Sequence, residues 1–168
     1  EVVNARFAGA QTLNLTSATG VQSINVQTST VAGTVDGVGA AANLAVKNQL
    51  VGATFDKSTA ATLNLGLDTV GVATAANVVV ELGATKQASA TTLNFTANNA
   101  NATVQDTAGG LAATVTIAAT GANRLNLADA AVAKNVTITG TGSVDLIGSA
   151  ATTLGTPFTG ALTTFNGS

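Results

Sequence analysis

Short stretches of alternating polar and apolar residues recur along the whole chain. In residues 23–27, for example, Ser, Asn and Gln alternate with Ile24 and Val26. Because successive side chains of a strand point to opposite faces, each stretch presents one aliphatic stripe and one polar stripe. This pattern predicts half-buried β-strands. The same kind of pattern marks residues 12–16, 43–47, 77–82, 114–117, 124–127, 135–139 and 143–146.

Residues that favour tight corners separate these stretches, which follow one another about every ten residues. Gly and Asn readily adopt the left-handed backbone conformations that such corners need. We therefore expect corners at residues 18–20, 36–39, 109–110 and 139–142. Residues 37–45 and 127–134 are rich in Ala and leave open a short helix at each place. A loop is the favoured alternative there, because helices this short are marginal without packing.

One motif, Leu-Asn-Leu or a close variant, is written four times. Its copies begin at Thr12, Thr62, Thr92 and Arg124, with intervals of 50, 30 and 32 residues. Two of these intervals equal about three strand spacings, which predicts a coil with about three short faces per turn. A parallel β-solenoid and an antiparallel β-sandwich both fit evenly spaced short strands. The small side chains, the scarcity of aromatic residues and the repeated motif favour the solenoid.

Composition narrows the class of protein further. Hydrophobic residues make up 46% of the chain, which is enough to build a core, and we expect residues 1–168 to form one domain. The chain has no signal peptide and does not start with Met, so we expect it to be a segment of a longer protein. No apolar run approaches the length of about 18 residues typical of a membrane span, and six scattered cations do not suit nucleic acid.

The side chains that most catalytic sites use are scarce. The chain has no His and no Cys, which closes Ser-His-Asp and Cys-His chemistry and the usual zinc sites. Its eight acidic residues are spread singly, so each is interpreted as lying on a solvated turn or strand face. Sugar-cleaving clefts also stack rings on Trp or Tyr, and both are absent. We therefore expect a non-enzymatic protein with no cofactor in this segment.

Residues 12–26, preceded by Glu-Val-Val-Asn at the start of the chain, resemble the body of bacterial surface-layer proteins and large type-I-secreted adhesins. Residues 160–168 look like another unit of the same kind. The resemblance implies a right-handed stack of β-rungs that is exported by a dedicated channel and assembles on the bacterial cell surface. It also implies that the partners are copies of the chain or neighbouring domains of the parent protein, with cell-surface polysaccharide as a further partner.

Such proteins often bind calcium through repeats rich in Gly and Asp. The nearest approaches here surround Asp36 and Asp145, which we take as candidate calcium ligands, and calcium is a candidate cofactor of the parent protein. Both stretches depart from the repeat, because neither has a double Gly followed by a stacked Asp. One Asp alone falls short of the roughly six to eight oxygen atoms that calcium prefers. The alternative is that both residues cap tight turns.

Two further expectations concern the polar stripes. Asn residues between apolar neighbours are candidates for hydrogen-bonded ladders between turns, or else for a plain exposed face; they are Asn14, Asn25, Asn64, Asn94 and Asn126. Outward-facing threonines are candidates for a flat array that binds ice or polysaccharide, which is the alternative function; they are Thr114, Thr116, Thr137, Thr139 and Thr141. The unequal lengths of the repeats argue against a regular match to an ice lattice.

Overall fold

The protein is represented by a computed structural model that describes residues 1–71, 77–128, 135–147 and 164–167. Within these residues the secondary structure consists of strands and contains no helix, and so no helix that could cross a membrane. The strands are β1 (Val2–Ala5), β2 (Thr12–Asn14), β3 (Ser23–Gln27), β4 (Gly33–Gly39), β5 (Asn43–Gln49), β6 (Ala53–Ser58), β7 (Thr62–Val70), β8 (Val78–Glu81), β9 (Thr92–Asn98), β10 (Asn101–Gln105), β11 (Thr114–Thr120), β12 (Ala122–Leu127), β13 (Asn135–Gly140), β14 (Ser143–Ile147) and β15 (Thr164–Gly167).

Successive strands alternate between two parallel sheets. The eight odd-numbered strands form sheet 1, in the order β1-β3-β5-β7-β9-β11-β13-β15, and the seven even-numbered strands form sheet 2, from β2 to β14. The strands within each sheet pair in parallel. The chain therefore winds as a β-solenoid, which confirms the predicted fold and excludes the antiparallel sandwich. We expect the coil to be right-handed, because connections between parallel strands of one sheet take that hand in about 98% of cases.

Each turn of the coil has two strands, so the prediction of three faces per turn is wrong. The side chains of Asn64 and Asn43, on neighbouring turns, are 21 residues apart in sequence, and those of Asn94 and Asn64 are 30 apart. The spacing of the repeated motif predicted the wrong number of faces per turn because its four copies do not share one face. Two of them lie in sheet 2, on β2 and β12, and the other two stack directly on each other in sheet 1, on β7 and β9.

The core consists of inward-facing side chains that stack from turn to turn. In sheet 1, Leu44, Leu65, Phe95 and Ile117 are in register on four successive strands, and each is at most 2% exposed. In sheet 2, similar columns contain Val35 and Phe55, and also Val80 and Val104. Each turn covers the aliphatic side chains of the next turn, so stacking buries the apolar stripes that the alternation predicted.

The predicted strands are confirmed, whereas the corner at residues 36–39 is not. These residues form the last part of β4, where the register with β6 shifts between Asp36 and Gly39. Gly37 and Gly39 have φ angles of 77° and 61°, so the glycines serve an irregularity within a strand rather than a turn. The helix left open at residues 37–45 is also absent, since β4 ends at Gly39 and β5 begins at Asn43. Most of residues 127–134 lie outside the described part of the chain.

Candidate functional site

The outer face of sheet 1 carries a ladder of asparagine side chains. Asn64 Nδ2 donates to Asn43 Oδ1 at 3.0 Å, and Asn94 Nδ2 donates to Asn64 Oδ1 at 3.0 Å. A second pair joins Asn25 Nδ2 to Asn4 Oδ1 at 2.8 Å. The ladder interpretation is therefore confirmed for the Asn residues of sheet 1. Asn64 uses its amide donor toward one neighbouring turn and its amide acceptor toward the other, which helps to hold the polar face in register.

The two predicted ladder residues of sheet 2 behave differently. Asn14 Oδ1 accepts from the backbone N–H and the hydroxyl of Thr16, which is a local turn contact rather than a ladder. Asn126 Nδ2 reaches Thr103 Oγ1 on the neighbouring turn at 3.4 Å, and its Oδ1 is buried without a hydrogen-bond partner. The polar stripe of sheet 2 is therefore less regular than that of sheet 1.

Threonines continue the same outer face beyond the ladder. Thr92 is in register with Thr114 on the next strand, and Thr116 is in register with Thr137. Strands lie about 4.8 Å apart and alternate residues about 6.6 Å apart along a strand, so these threonines form a repeating array on this face. Thr139 belongs to the same face, next to Ala118, whereas Thr141 lies in the bend beyond β13.

A groove of about 450 Å³ runs beside the ladder across the outer face of sheet 1. The groove forms because small residues, among them Ala45 and Gly66, occupy consecutive positions of one column and leave space above the sheet. Along one side stand Asp68 and Asn98, whose side chains are joined by a hydrogen bond of 2.9 Å. Lys47 lines the same side, in register with Asp68. The groove therefore has a cationic group, Lys47, and an anionic group, Asp68, beside an apolar floor.

The two candidate calcium ligands are far apart. Asp36 lies on β4 near one end of sheet 2, and Asp145 lies on β14, the strand at the other end. Lys57 Nζ is 2.8 Å from Asp36 Oδ1 and 3.0 Å from its Oδ2, so a cation of the chain already neutralises that carboxylate. Asp145 is 68% exposed and lies 3.7 Å from Arg124 Nε. Both residues lie within strands rather than in tight turns, Asp36 in β4 and Asp145 in β14.

No group of three or more His, Cys, Asp or Glu side chains in the described residues forms a candidate metal site. Calcium binding at Asp36 and Asp145 stays a prediction.

Three acidic residues of sheet 2 are buried, contrary to the solvated positions expected from the sequence. Asp56 is 3% exposed, and its carboxylate accepts from the backbone N–H groups of Thr85 and Lys86 and from the Thr85 hydroxyl. These donors belong to the loop between β8 and β9. Asp56 is on β6, and the loop begins after β8, which is the neighbour of β6 in sheet 2. The carboxylate therefore fastens this loop to the outer side of sheet 2.

Glu81 and Asp106 hold the ends of two neighbouring strands in the same way. Glu81 accepts from Gln105 Nε2 at 2.7 Å and from the Thr107 N–H at 3.0 Å. Asp106 accepts from the Ala88 N–H at 2.9 Å and the Gly109 N–H at 3.2 Å. Glu81 and Asp106 lie close enough for their charges to interact. Their carboxylate oxygens nevertheless accept hydrogen bonds from the chain itself, so both residues act as loop anchors.

The pKa values of two of these carboxyls are displaced in opposite directions. Burial raises the pKa of Asp106 above its ordinary value, the charge of Glu81 adds to this effect, and hydrogen bonds from Ala88 and Gly109 only partly offset it. Burial also acts to raise the pKa of Asp56, but hydrogen bonds, chiefly from Thr85 and then from Lys86, outweigh burial and lower it. The balance between burial and the hydrogen bonds that each carboxyl accepts therefore decides the direction of its pKa shift.

The sequence contains a local signal for one of these two anchors, Asp106. Each of Asp56 and Asp106 stands at or just past the end of an apolar stretch, and Asp106 precedes Thr-Ala-Gly-Gly. Asp in such a place commonly accepts hydrogen bonds from backbone N–H groups a few residues further on. Residues 106–110 contain such a turn, whereas the contact of Asp56 with Thr85 spans 29 residues and has no local signal.

We compared the chain with known proteins at three levels: no protein-family model, no curated protein and no solved structure matches it.

Proposed function

We propose that this chain is a structural module of a bacterial cell-surface array or of a large secreted adhesin, with no enzymatic activity. The observation that carries the proposal is the unbroken stack of parallel strands. Among the described residues, eight strands in one sheet and seven in the other are held by a core in which inward side chains contact the turns before and after. Such a stack has fixed length and shape, which is the mechanical property that a surface scaffold needs.

The polar exterior supports the same proposal. The amides of Asn43, Asn64 and Asn94 form a chain of hydrogen bonds, which holds these side chains of the outer face of sheet 1 in place. Only 8% of the residues are charged, so flat faces can approach one another with little electrostatic repulsion. The proposed partners are copies of the chain and neighbouring domains of its parent protein, outside the cell, and calcium is a proposed ligand of the parent.

Imaging of the parent protein tests this function. Cells that produce the full-length parent are treated with a protease that cannot enter them, and their surfaces are imaged by electron cryotomography. We expect loss of the protein under protease and an ordered layer or regular projections on untreated cells. A protein that stays protected inside intact cells, with no surface structure that disappears when its gene is deleted, would refute the proposal.

A second candidate function is binding of ice or polysaccharide by the outer face of sheet 1. It is favoured by the in-register threonines, above all Thr116 and Thr137, and by the groove beside them. Thermal hysteresis and retention on immobilised cell-wall polysaccharide measure the two versions. The double substitution of Thr116 and Thr137 by Lys should abolish either activity, and Thr34→Lys with Thr54→Lys on sheet 2 serves as the control. No activity of the unmodified chain at millimolar concentration would exclude this candidate.

A further inference from the structure

Successive turns contribute residues of the same two kinds to the groove on the outer face of sheet 1. Strands β5, β7, β9 and β11 cross beneath the groove, and their register aligns its residues into two rows that run along the coil. The floor row consists of small residues, which are Ala45, Gly66, Thr96 and Ala118. The wall row consists of residues that can form side-chain hydrogen bonds, which are Lys47, Asp68, Asn98 and Thr120. Each of these four strands therefore adds one floor residue and one wall residue.

Gly66, in the floor row, is not required by the fold. It lies inside β7, a strand of nine residues that keeps its register with β5 and β9 through this position. A glycine inside a strand lowers stability, and it has a structural reason only where the backbone is unusual or another group comes close. Gly66 does not have a positive φ angle, and a Cβ at this position would lie 3.5 Å from both Ala45 Cβ and Thr96 Oγ1, which is ordinary van der Waals contact. The chain itself therefore leaves the floor open at Gly66, and close approach of a ligand accounts for glycine here.

The residues that line the groove carry hydrogen-bonding groups that the chain does not use. Asp68 Oδ1 accepts from Asn98 Nδ2 at 2.9 Å, which holds the carboxylate in place, whereas Asp68 Oδ2 has no hydrogen-bond partner among the described residues. Within the part of the chain that the structure describes, the Lys47 ammonium and the hydroxyls of Thr96 and Thr120 form no hydrogen bond or ion pair. Donors and acceptors are therefore available along the groove, and one of them is already oriented, which lowers the entropy cost of binding a ligand.

The charges of the groove complement a ligand without net charge. Lys47 and Asp68 are in register on neighbouring strands, so a cation and an anion stand side by side in the wall row. Their fields cancel at a distance, so neither a polyanion nor a polycation is attracted. At close range the ammonium donates and the carboxylate accepts, so both form charge-assisted hydrogen bonds with hydroxyl groups. The wall row therefore favours an uncharged ligand that is rich in hydroxyls.

The spacing of the turns favours a linear polymer with a short repeat. Neighbouring strands of a sheet lie about 4.8 Å apart, so the two rows repeat at about that distance across the four strands. This repeat is close to the length of one pyranose ring in an extended glycan, and such a ring has an apolar face of C–H groups bordered by hydroxyls. An extended peptide fits less well, because it rises about 3.3 Å per residue and needs backbone partners that the paired strands of sheet 1 no longer offer.

We propose that the groove binds an uncharged linear glycan that runs along the coil with one sugar ring on each turn. The apolar faces of the rings lie on the floor row, closest to the backbone at Gly66, and their hydroxyls bond to Lys47, Asp68 and Asn98 in the wall row. This inference rests on the second candidate function, which it deepens by naming the ligand class and the site. The scaffold function does not depend on it.

Glycans of increasing length test the fit of one ring per turn. The probes are β-linked oligomers of glucose, xylose, mannose and N-acetylglucosamine, from dimers to hexamers, titrated into the unmodified chain by isothermal titration calorimetry. At least one series should bind, with a Kd below about 1 mM for its tetramer, and its affinity should rise up to the tetramer and then level off. Oligogalacturonates, which carry a carboxylate on each ring, should bind at least about tenfold more weakly. Failure of every uncharged hexamer to bind at millimolar concentration, or tighter binding of the charged series, would overturn the inference.

Filling the floor row tests the site. Gly66→Leu places a side chain in the groove, and Thr62→Leu places the same side chain on the same strand and face but outside the groove. Urea denaturation checks that both variants fold, which the space around a Cβ at Gly66 leads us to expect. Gly66→Leu should weaken glycan binding by at least about tenfold, and Thr62→Leu should change it by less than about twofold. If Gly66→Leu binds normally while the double substitution of Thr116 and Thr137 by Lys abolishes binding, the groove is excluded and the second candidate function stands.

Removal of two hydroxyls provides a measurement that leaves Gly66 in place. Thr96→Val with Thr120→Val removes two hydroxyls that line the groove and keeps the shape of both side chains. We expect the affinity for the glycan to fall at least about fivefold, because each hydroxyl loses a hydrogen bond to the ligand. The control Thr92→Val with Thr114→Val, an in-register pair outside the groove, should bind normally. Sedimentation velocity tests the other occupant: a dimer of the unmodified chain that Gly66→Leu dissociates, without glycan binding, would assign the groove to a second copy and overturn the inference.

Discussion

The two outer faces of the coil differ although one core supports both. On sheet 1, polar side chains satisfy one another across turns, as Asn64 does with Asn43 and Asn94. On sheet 2, polar side chains are used to fasten loops, as Asp56 does with Thr85 and Lys86. The first face is regular and open, whereas the second is irregular and partly covered. The inner columns therefore suffice for stacking, and the outer stripes are free to differ.

The loop between β8 and β9 shows how the coil absorbs extra residues. The side chains of Asn64 and Asn94 are 30 residues apart, compared with 21 for Asn43 and Asn64, yet both pairs bond with the same geometry and distance. Part of this loop folds against sheet 2, where Asp56 accepts the N–H of Lys86 and Asp106 accepts the N–H of Ala88. A longer turn thus costs loop entropy, which grows slowly with length, but does not disturb the register of sheet 1.

The largest expected effect tests the claim that the two sheets share one core. Phe95 in sheet 1 and Phe55 in sheet 2 are 1% and 0% exposed. Phe95→Ala and Phe55→Ala should each lower the free energy of unfolding by about 3–5 kcal/mol, because each leaves a cavity in a stack with little room to collapse. Urea denaturation measures both. A loss below about 1 kcal/mol for either variant would show that its sheet does not belong to the common core.

A smaller effect is expected where sheet 2 fastens its loop. Asp56→Asn keeps the size of the side chain but replaces one acceptor with a donor, so one loop N–H loses its partner. Loss of a buried hydrogen bond to a charged group costs about 2 kcal/mol. The control Asp145→Asn removes the same charge from an exposed site and should change the free energy of unfolding by less than about 0.5 kcal/mol. Equal effects of the two substitutions would contradict the anchor.

The anchors also predict a pH dependence specific to sheet 2. The folded-state pKa of Asp56 is lowered, so its stabilisation is present above the unfolded value and is lost as the pH falls through the folded value. The folded-state pKa of Asp106 is raised, so its ionisation destabilises the fold as the pH rises from the unfolded value through the folded value. Urea denaturation at a series of pH values from about 2 to about 7 follows both effects.

Two variants separate these opposite slopes. As the pH falls through the acidic range, the free energy of unfolding of Asp56→Asn should decrease less than that of the unmodified chain. As the pH rises above the ordinary pKa of Asp, the free energy of unfolding of Asp106→Asn should decrease less than that of the unmodified chain. Unchanged pH profiles in both variants would show that neither carboxyl titrates differently in the folded and unfolded states.

The smallest effect is expected in the ladder of sheet 1. Asn64→Ala removes two exposed side-chain hydrogen bonds, and water can replace both, so the free energy of unfolding should fall by no more than about 1 kcal/mol. Asn64→Asp is an informative companion, because it keeps the acceptor toward Asn94 and removes the donor toward Asn43. A loss above about 2 kcal/mol for Asn64→Ala would mean that the outer face contributes as much as the loop anchors of sheet 2.

Local alternation predicted strands and the polar stripe that forms the ladder of sheet 1, whereas the choice of a parallel coil also depended on the small side chains and the repeated motif. The number of faces per turn could not be read in the same way. Copies of the motif at Thr12 and Thr62 look alike but lie in different sheets, because both sheets present the same alternation to one core. The buried role of Asp56 was also missed, since its donors are distant in sequence and no local pattern marks them.

Engineered disulfides test the two-sheet coil most directly, because the chain has no Cys of its own. Thr62 and Thr92 are in register on neighbouring strands, about 4.8 Å apart, which is within the Cα range of a disulfide. We predict that Thr62→Cys with Thr92→Cys forms an intramolecular disulfide in the folded protein. Thr12→Cys with Thr62→Cys, the same motif position in opposite sheets, should not. A disulfide in the second variant and none in the first would contradict the two-sheet coil.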